Sequence, residues 1–180
     1  DGNVNVDNAN VDNASGNGLD VTGSGVEVKD SSVSNAGSGI KANATGGDVN
    51  VSGVSVGNVT NGTAVDVSAS NGKASVEDVK VNNTNGKAMD VSGQDVSVSG
   101  VSVNNVTNGI NANASSGNVD VGNVTVDVIH EGNALDVTGV NVTVKDTNVS
   151  NVVNGTGIKA DATDGNVNVD NANVDNASGN

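Results

Sequence analysis

The stretches VNVSGVSVGNVTNG (residues 49–62) and VSVSGVSVNNVTNG (residues 96–109) decide how the whole chain is read. Each runs Val-x-Val, reaches a glycine, resumes as Val-x-Val and closes on Asn-Val-Thr-Asn-Gly. β-Branched residues alternating at period 2 predict short strands with one buried face. Gly53 and Gly100 stand where the chain bends between two such strands, a place suited to a residue without a side chain.

The same grammar extends in both directions. An aliphatic residue after a Gly-containing turn recurs as Leu19, Ile40, Val65, Met89, Ile110, Leu135 and Ile158, at intervals of 21, 25, 24, 21, 25 and 23 residues. Behind each comes a second inward pair, such as Val26/Val28, Ala74/Val76 and Val142/Val144. A third pair starts five residues after the second, as in Ser31/Val33, Val79/Val81 and Thr147/Val149. Three short strands at fixed offsets predict stacked parallel coils of about 23 residues rather than a sandwich. One coil buries too little to hold itself, so each depends on its neighbours.

Turn chemistry agrees with this register. The residue before the third strand is Asn8, Asp30, Gly53, Asp78, Gly100, Asn123, Asp146 or Asn171, all types that tolerate left-handed backbone angles. Four residues after the anchor stands either Gly (Gly23, Gly93, Gly139), which bends at once, or Ala (Ala44, Ala69, Ala114, Ala162), which continues inward for one more position. Two residues past the third strand's last valine come Asn13, Asn35, Asn58, Asn83, Asn105, Asn151 and Asn176, interrupted only by Val128. At the rung spacing of about 4.8 Å these amides can hydrogen-bond along the stack.

A longer period encloses the coils. Residues 1–17, DGNVNVDNANVDNASGN, recur unchanged as residues 164–180, a period of 163 residues holding seven coils. The chain is therefore expected to be a single continuous solenoid, 1–180, cut from a tandem array of 163-residue repeats. The opening residues Asp1–Asn17 carry no basic-then-apolar leader pattern, which suits a mature or internal piece.

With its Val-x-Val rungs and asparagine ladder, the chain resembles the right-handed parallel β-helices of the pectate-lyase-like superfamily, whose rungs follow the pattern V-x-V-x-N-x-V-x-V-x-N and then G-I. Residues 49–62 and 96–109 carry the likeness most clearly, and it covers the whole chain. The resemblance implies right-handed coiling. It implies little about function, because that fold serves lyases, hydrolases, tailspikes, adhesins and passive stalks; the adhesin or filament type fits this sequence better than the enzyme type.

Composition narrows the chemistry. The 180 residues contain no Phe, Trp, Tyr, Pro or Cys, and all seven basic residues are lysine. Disulfides, thiolate metal sites, aromatic stacking and arginine clamps are thereby excluded. A net charge of -14 argues against nucleic acid and anionic membrane, and no apolar run is long enough to span a bilayer. Absent aromatics also fit a narrow core that takes one aliphatic layer per coil.

Candidate sites are few. The outward column on the anchor strands reads Asp20, Lys41, Asp66, Asp90, Asn111, Asp136 and Lys159. Asp66 and Asp90, on adjacent coils about 5 Å apart, are weak cation candidates, although the column otherwise reads as a solvated face of alternating charge. His130 and Glu131 sit together in a turn without a nucleophile nearby, so no catalytic residue is assigned. Gly46–Val51 is like one calcium β-roll nonapeptide, but the nonapeptide does not repeat. Outward positions on the second strands show no Thr-x-Thr array of the ice-binding kind. Sequons include Asn13, Asn43, Asn58, Asn105, Asn123 and Asn154, mostly where the ladder abuts Ser or Thr.

These readings lead to one expectation: a non-catalytic structural segment of a long extracellular or cell-surface β-solenoid filament or stalk. It needs no cofactor, and its main partner is itself, end to end with adjacent repeats or subunits. An adhesin module recognising glycans or a host surface is the alternative, and a polysaccharide-active enzyme comes third.

Overall fold

The computed structural model describes residues 2–179, so the outermost residues of the repeated segment, Asp1 and Asn180, lie outside the described residues. Seventeen strands and no helix occur among the described residues, and every strand pairing is parallel. No helix is therefore long and apolar enough to cross a membrane. The strands stack as a β-solenoid of about 8 turns, each interior strand bonding to its counterparts one coil below and one above.

Register follows the sequence pattern column by column. The second pair runs Val4, Val26, Val49, Ala74, Val96, Val119, Val142 and Val167 from coil to coil. Anchors do likewise: Leu19 pairs with Ile40, Ile40 with Val65, Val65 with Met89, Met89 with Ile110, Ile110 with Leu135 and Leu135 with Ile158. Ile40, Met89, Ile110 and Leu135 are fully buried, so the core is one aliphatic column along the axis. Such columns repeat the same side-chain type at every level, which lets coils of 21 to 25 residues share a single packing plan.

Two bends per coil use left-handed backbone. Asn8, Asp30, Gly53, Asp78, Gly100, Asn123, Asp146 and Asn171 all have positive φ, between 49° and 63°, as their residue types require. The second series is the asparagine ladder itself, from Asn13 at 62° to Asn176 at 55°. Asparagine serves there twice, tolerating the backbone and offering an amide to the next coil. These bends do not always interrupt pairing: in the middle of the stack one strand, Asp95–Ala114, runs through all three inward pairs and both bends.

The two turn designs after the anchor differ as the Gly/Ala rule demands. Ala44, Ala69 and Ala114 are buried core positions. At Gly93 an added Cβ would lie 2.7 Å from the Asp95 carbonyl oxygen and 3.0 Å from the Ala74 nitrogen, so the immediate bend leaves no room for a side chain. Buried polar residues inside the column mostly satisfy themselves locally: Ser31 and Thr147 donate to the carbonyls of Lys29 and Lys145 at 2.8 and 3.1 Å. Thr84 stands where neighbouring coils have Val59 and Val106, and its buried Oγ1 has no partner among the described residues.

Candidate functional site

The ladder corner carries the most organised polar chemistry on the surface. Asn58 Nδ2 donates to Asn35 Oδ1 at 3.1 Å, Asn83 to Asn58 at 3.3 Å and Asn105 to Asn83 at 2.8 Å. At its lower end Asn35 turns to a carboxylate instead of Asn13, donating to Asp12 Oδ1 at 2.7 Å beside Ser34 Oγ at 2.9 Å. Those bonds from Asn35 and Ser34 hold the Asp12 carboxyl below its ordinary pKa. The arrangement recurs above the break, where Asn151 Nδ2 and Ser150 Oγ both donate to Asp127 Oδ1 at 2.8 Å and lower its pKa in the same way. From there the ladder resumes with Asn176 donating to Asn151 at 2.9 Å.

Val128 is the break, and it keeps the bend. Its φ is 57°, a left-handed conformation that costs a β-branched residue about 1–2 kcal/mol or more. The coils above and below impose it, since Val126 and Ile129 on either side are paired and buried in the common register. His130 substitutes for the missing amide, with its Nε2 lying 2.8 Å from Asn105 Oδ1. Because the Asn105 amide nitrogen already donates to Asn83, its oxygen faces the imidazole and the proton resides on Nε2.

Replacing Val128 by Asn is expected to stabilise the fold by about 1–2 kcal/mol through relief of this backbone. Val128→Gly relieves the same strain but adds about 0.5–1 kcal/mol of unfolded-chain entropy, so it should be less stable than Val128→Asn. Urea denaturation of all three proteins checks this; a Val128→Asn variant no more stable than the parent contradicts it.

On the anchor face the outward column is in register as expected, with Asp20 beside Lys41, Lys41 beside Asp66, Asp66 beside Asp90 and Asp136 beside Lys159. Both Asp90 oxygens are engaged, Oδ2 by Lys87 Nζ at 2.6 Å and Oδ1 by Asn111 Nδ2 at 3.0 Å. Lys159 bridges Asp136 at 3.2 Å and Asp161 at 3.1 Å. Among the described residues no group of three or more His, Cys, Asp or Glu side chains is arranged to hold a metal ion.

Asp66 is the member of this column with a raised pKa. Partial burial is the main cause and the Asp90 charge the second, with Lys41 and Lys87 opposing. A carboxyl with its folded pKa above the unfolded value favours the folded state below the ordinary aspartate range, and that contribution is lost as pH rises through the raised value. Asp66→Asn should therefore increase the urea midpoint at neutral pH and leave it nearly unchanged below about pH 3.9. An equal effect at both pH values would contradict this cause.

His130 and Glu131 are exposed in their turn, and His130 is engaged with Asn105. An open groove of about 430 Å³ follows the ladder from Asn58 to His130, bordered by Thr60, Asn85 and Thr107. The sequon residues Asn58 and Asn105 use in the ladder the Nδ2 atoms that a glycan would occupy. Sequence reasoning found the ladder and the charge column. It missed the Asp12 and Asp127 clamps and the His130 substitution; a histidine two residues past the missing asparagine was the available signal for the latter.

No family model, curated protein or solved structure matches the chain.

Proposed function

We propose that the chain is a non-catalytic structural segment of a long extracellular β-solenoid filament or surface stalk, with the right-handed winding of the β-helix proteins it resembles. The observation that carries this reading is that the coil containing Val167–Ala177 repeats, residue for residue, the sequence of the coil containing Val4–Asp7 and Asn10–Asp12. A stack with the same layer at both ends can be lengthened indefinitely without any new packing problem. The single aliphatic column and the amide ladder support the same reading, since each is propagated by neighbours and adds stiffness along one axis. The sequon asparagine Asn154, exposed in a bend outside the ladder, suits an extracellular surface.

Small-angle scattering over a concentration series tests the proposal. The cross-section should stay constant while the particle lengthens. A particle that remains a monomer at every concentration, or that thickens as it grows, would refute it.

A further inference from the structure

We infer that Asn154–Gly155 is a self-modification site, at which the folded protein spontaneously converts Asn154 to aspartyl and isoaspartyl forms with water as the only co-reactant. The inference stands apart from the filament reading, because the chemistry needs one chain and no partner.

The chain contains six Asn–Gly pairs, beginning at Asn17, Asn61, Asn71, Asn85, Asn108 and Asn154. In such a pair the glycine has no Cβ to obstruct its own nitrogen, which can close on the side-chain carbon of the preceding asparagine. The solenoid cannot discard these glycines. A Cβ at Gly62, Gly72, Gly86 or Gly155 would collide with an adjacent coil, and at Gly155 the obstacle is the Gly132 carbonyl, whose carbon would lie 2.5 Å away. Close coil spacing thus imposes glycine, and the asparagine before it becomes a reactive position.

Five of the six pairs are locked by hydrogen bonds. At Asn17, Asn71 and Asn85 the side-chain amide is held: Nδ2 donates to Asp20 Oδ2 at 2.9 Å, to the Thr45 carbonyl at 2.9 Å and to the Thr60 carbonyl at 3.2 Å. At Asn61 and Asn108 the attacking nitrogen is held instead. The Gly62 N–H donates to the Gly37 carbonyl at 2.9 Å, and the Gly109 N–H to the Asn133 carbonyl at 3.0 Å. Each of these bonds must break before a ring can close, which slows the reaction.

Asn154 has neither lock. Its side chain is exposed in a bend, and among the described residues neither its carboxamide nor the Gly155 N–H makes a hydrogen bond. The turn is anchored through carbonyls, with Asn154 O accepting the Gly132 N–H at 3.2 Å and Thr156 O the Ala134 N–H at 2.9 Å. That arrangement holds the turn in place and leaves the Gly155 nitrogen available.

The reaction balances without oxidant or reductant. The Gly155 nitrogen loses its proton to hydroxide and attacks Asn154 Cγ; an N–Cγ bond forms, the Cγ–Nδ2 bond breaks, and Nδ2 departs as ammonia to leave a cyclic succinimide. Water then opens the ring. Attack at Cγ breaks the new N–Cγ bond and restores the normal backbone with an aspartate side chain. Attack at the backbone carbonyl carbon breaks the original peptide bond instead, and the chain then runs through Cβ and Cγ as an isoaspartyl link. Either product adds one negative charge to a chain already at -14, on the corner where the neighbouring coil carries Glu131.

Full-length protein made without glycosylation is incubated folded at mildly alkaline pH, with a second sample in enough urea to unfold it. Both are followed by peptide mass spectrometry, with enzymatic isoaspartyl methylation as the specific label. In the folded sample Asn154 should convert about tenfold or more faster than the other Asn–Gly pairs, the factor that one hydrogen bond of ordinary strength can hold back. In urea the locks are gone, and all the pairs should convert at similar rates. Asn154→Gln, whose longer side chain closes the ring far less readily, should leave the folded protein without isoaspartyl label and with the parental urea midpoint. Folded protein in which Asn61 or Asn71 converts as fast as Asn154, or in which Asn154 persists while the unfolded sample reacts, overturns the inference.

Discussion

Gly109→Ala is expected to destabilise the protein by about 3 kcal/mol or more, the upper range for overpacking, because the obstacle is backbone rather than a movable side chain. A Cβ at Gly109 would lie 2.6 Å from the Ala134 carbonyl carbon and 2.8 Å from its Cα, with the carbonyl oxygen closer still. That carbonyl accepts the Ile110 amide at 2.9 Å, so separating the two chains to make room breaks a rung of the solenoid. Gly57→Ala is the matched control: its Cβ would meet only the Asn82 carbonyl oxygen, at 3.8 Å, an ordinary contact. The pair should differ strongly in urea midpoint. Similar midpoints would mean that the coils are not spaced as described.

Met89→Asp should have a still larger effect. Met89 is fully buried in the anchor column between Val65 and Ile110, and the nearest lysine in the strand, Lys87, is engaged with Asp90 on the outer face. The substitution loses the burial of a large apolar side chain, about 2–5 kcal/mol, and adds an unpaired buried charge. Because each coil is held by its neighbours, the damage should spread: amide exchange protection is expected to fall first in the coils that contain Val65 and Ile110 and later toward the ends. Met89→Leu, which roughly preserves volume, should cost less than about 1.5 kcal/mol. A Met89→Asp protein with parental exchange protection would remove the central column from the account.

Much of this architecture was legible because a solenoid writes each tertiary contact as a sequence interval. The pairing of Val49 with Ala74 and of Asp66 with Asp90 follows from counting, since equivalent residues in successive coils are neighbours in space. Turn positions were legible where backbone angle restricts residue type, as at Asp78 and Gly100. Val128 shows the limit of that logic. A β-branched residue argues against a left-handed bend, yet the bend is kept because the bonded layers on both sides leave that segment no other path. Side-chain choices were the least legible. Nothing in the spacing says that Asn35 selects Asp12 over Asn13, or that His130 reaches Asn105, because each depends on rotamers and on which oxygen a neighbour leaves free. The joined strand Asp95–Ala114 was likewise read as three separate strands, since sequence marks the bends but not whether pairing continues through them.

The most direct test of the filament account is the axial period of assemblies formed by the purified protein, measured by fibre diffraction or cryo-electron microscopy. End-to-end stacking continues the coil spacing across every junction, which predicts a strong layer line at about 4.8 Å through the whole assembly. Assemblies with no axial order at the coil spacing, or no assemblies at any concentration, would contradict the claim that this chain is a segment of a filament.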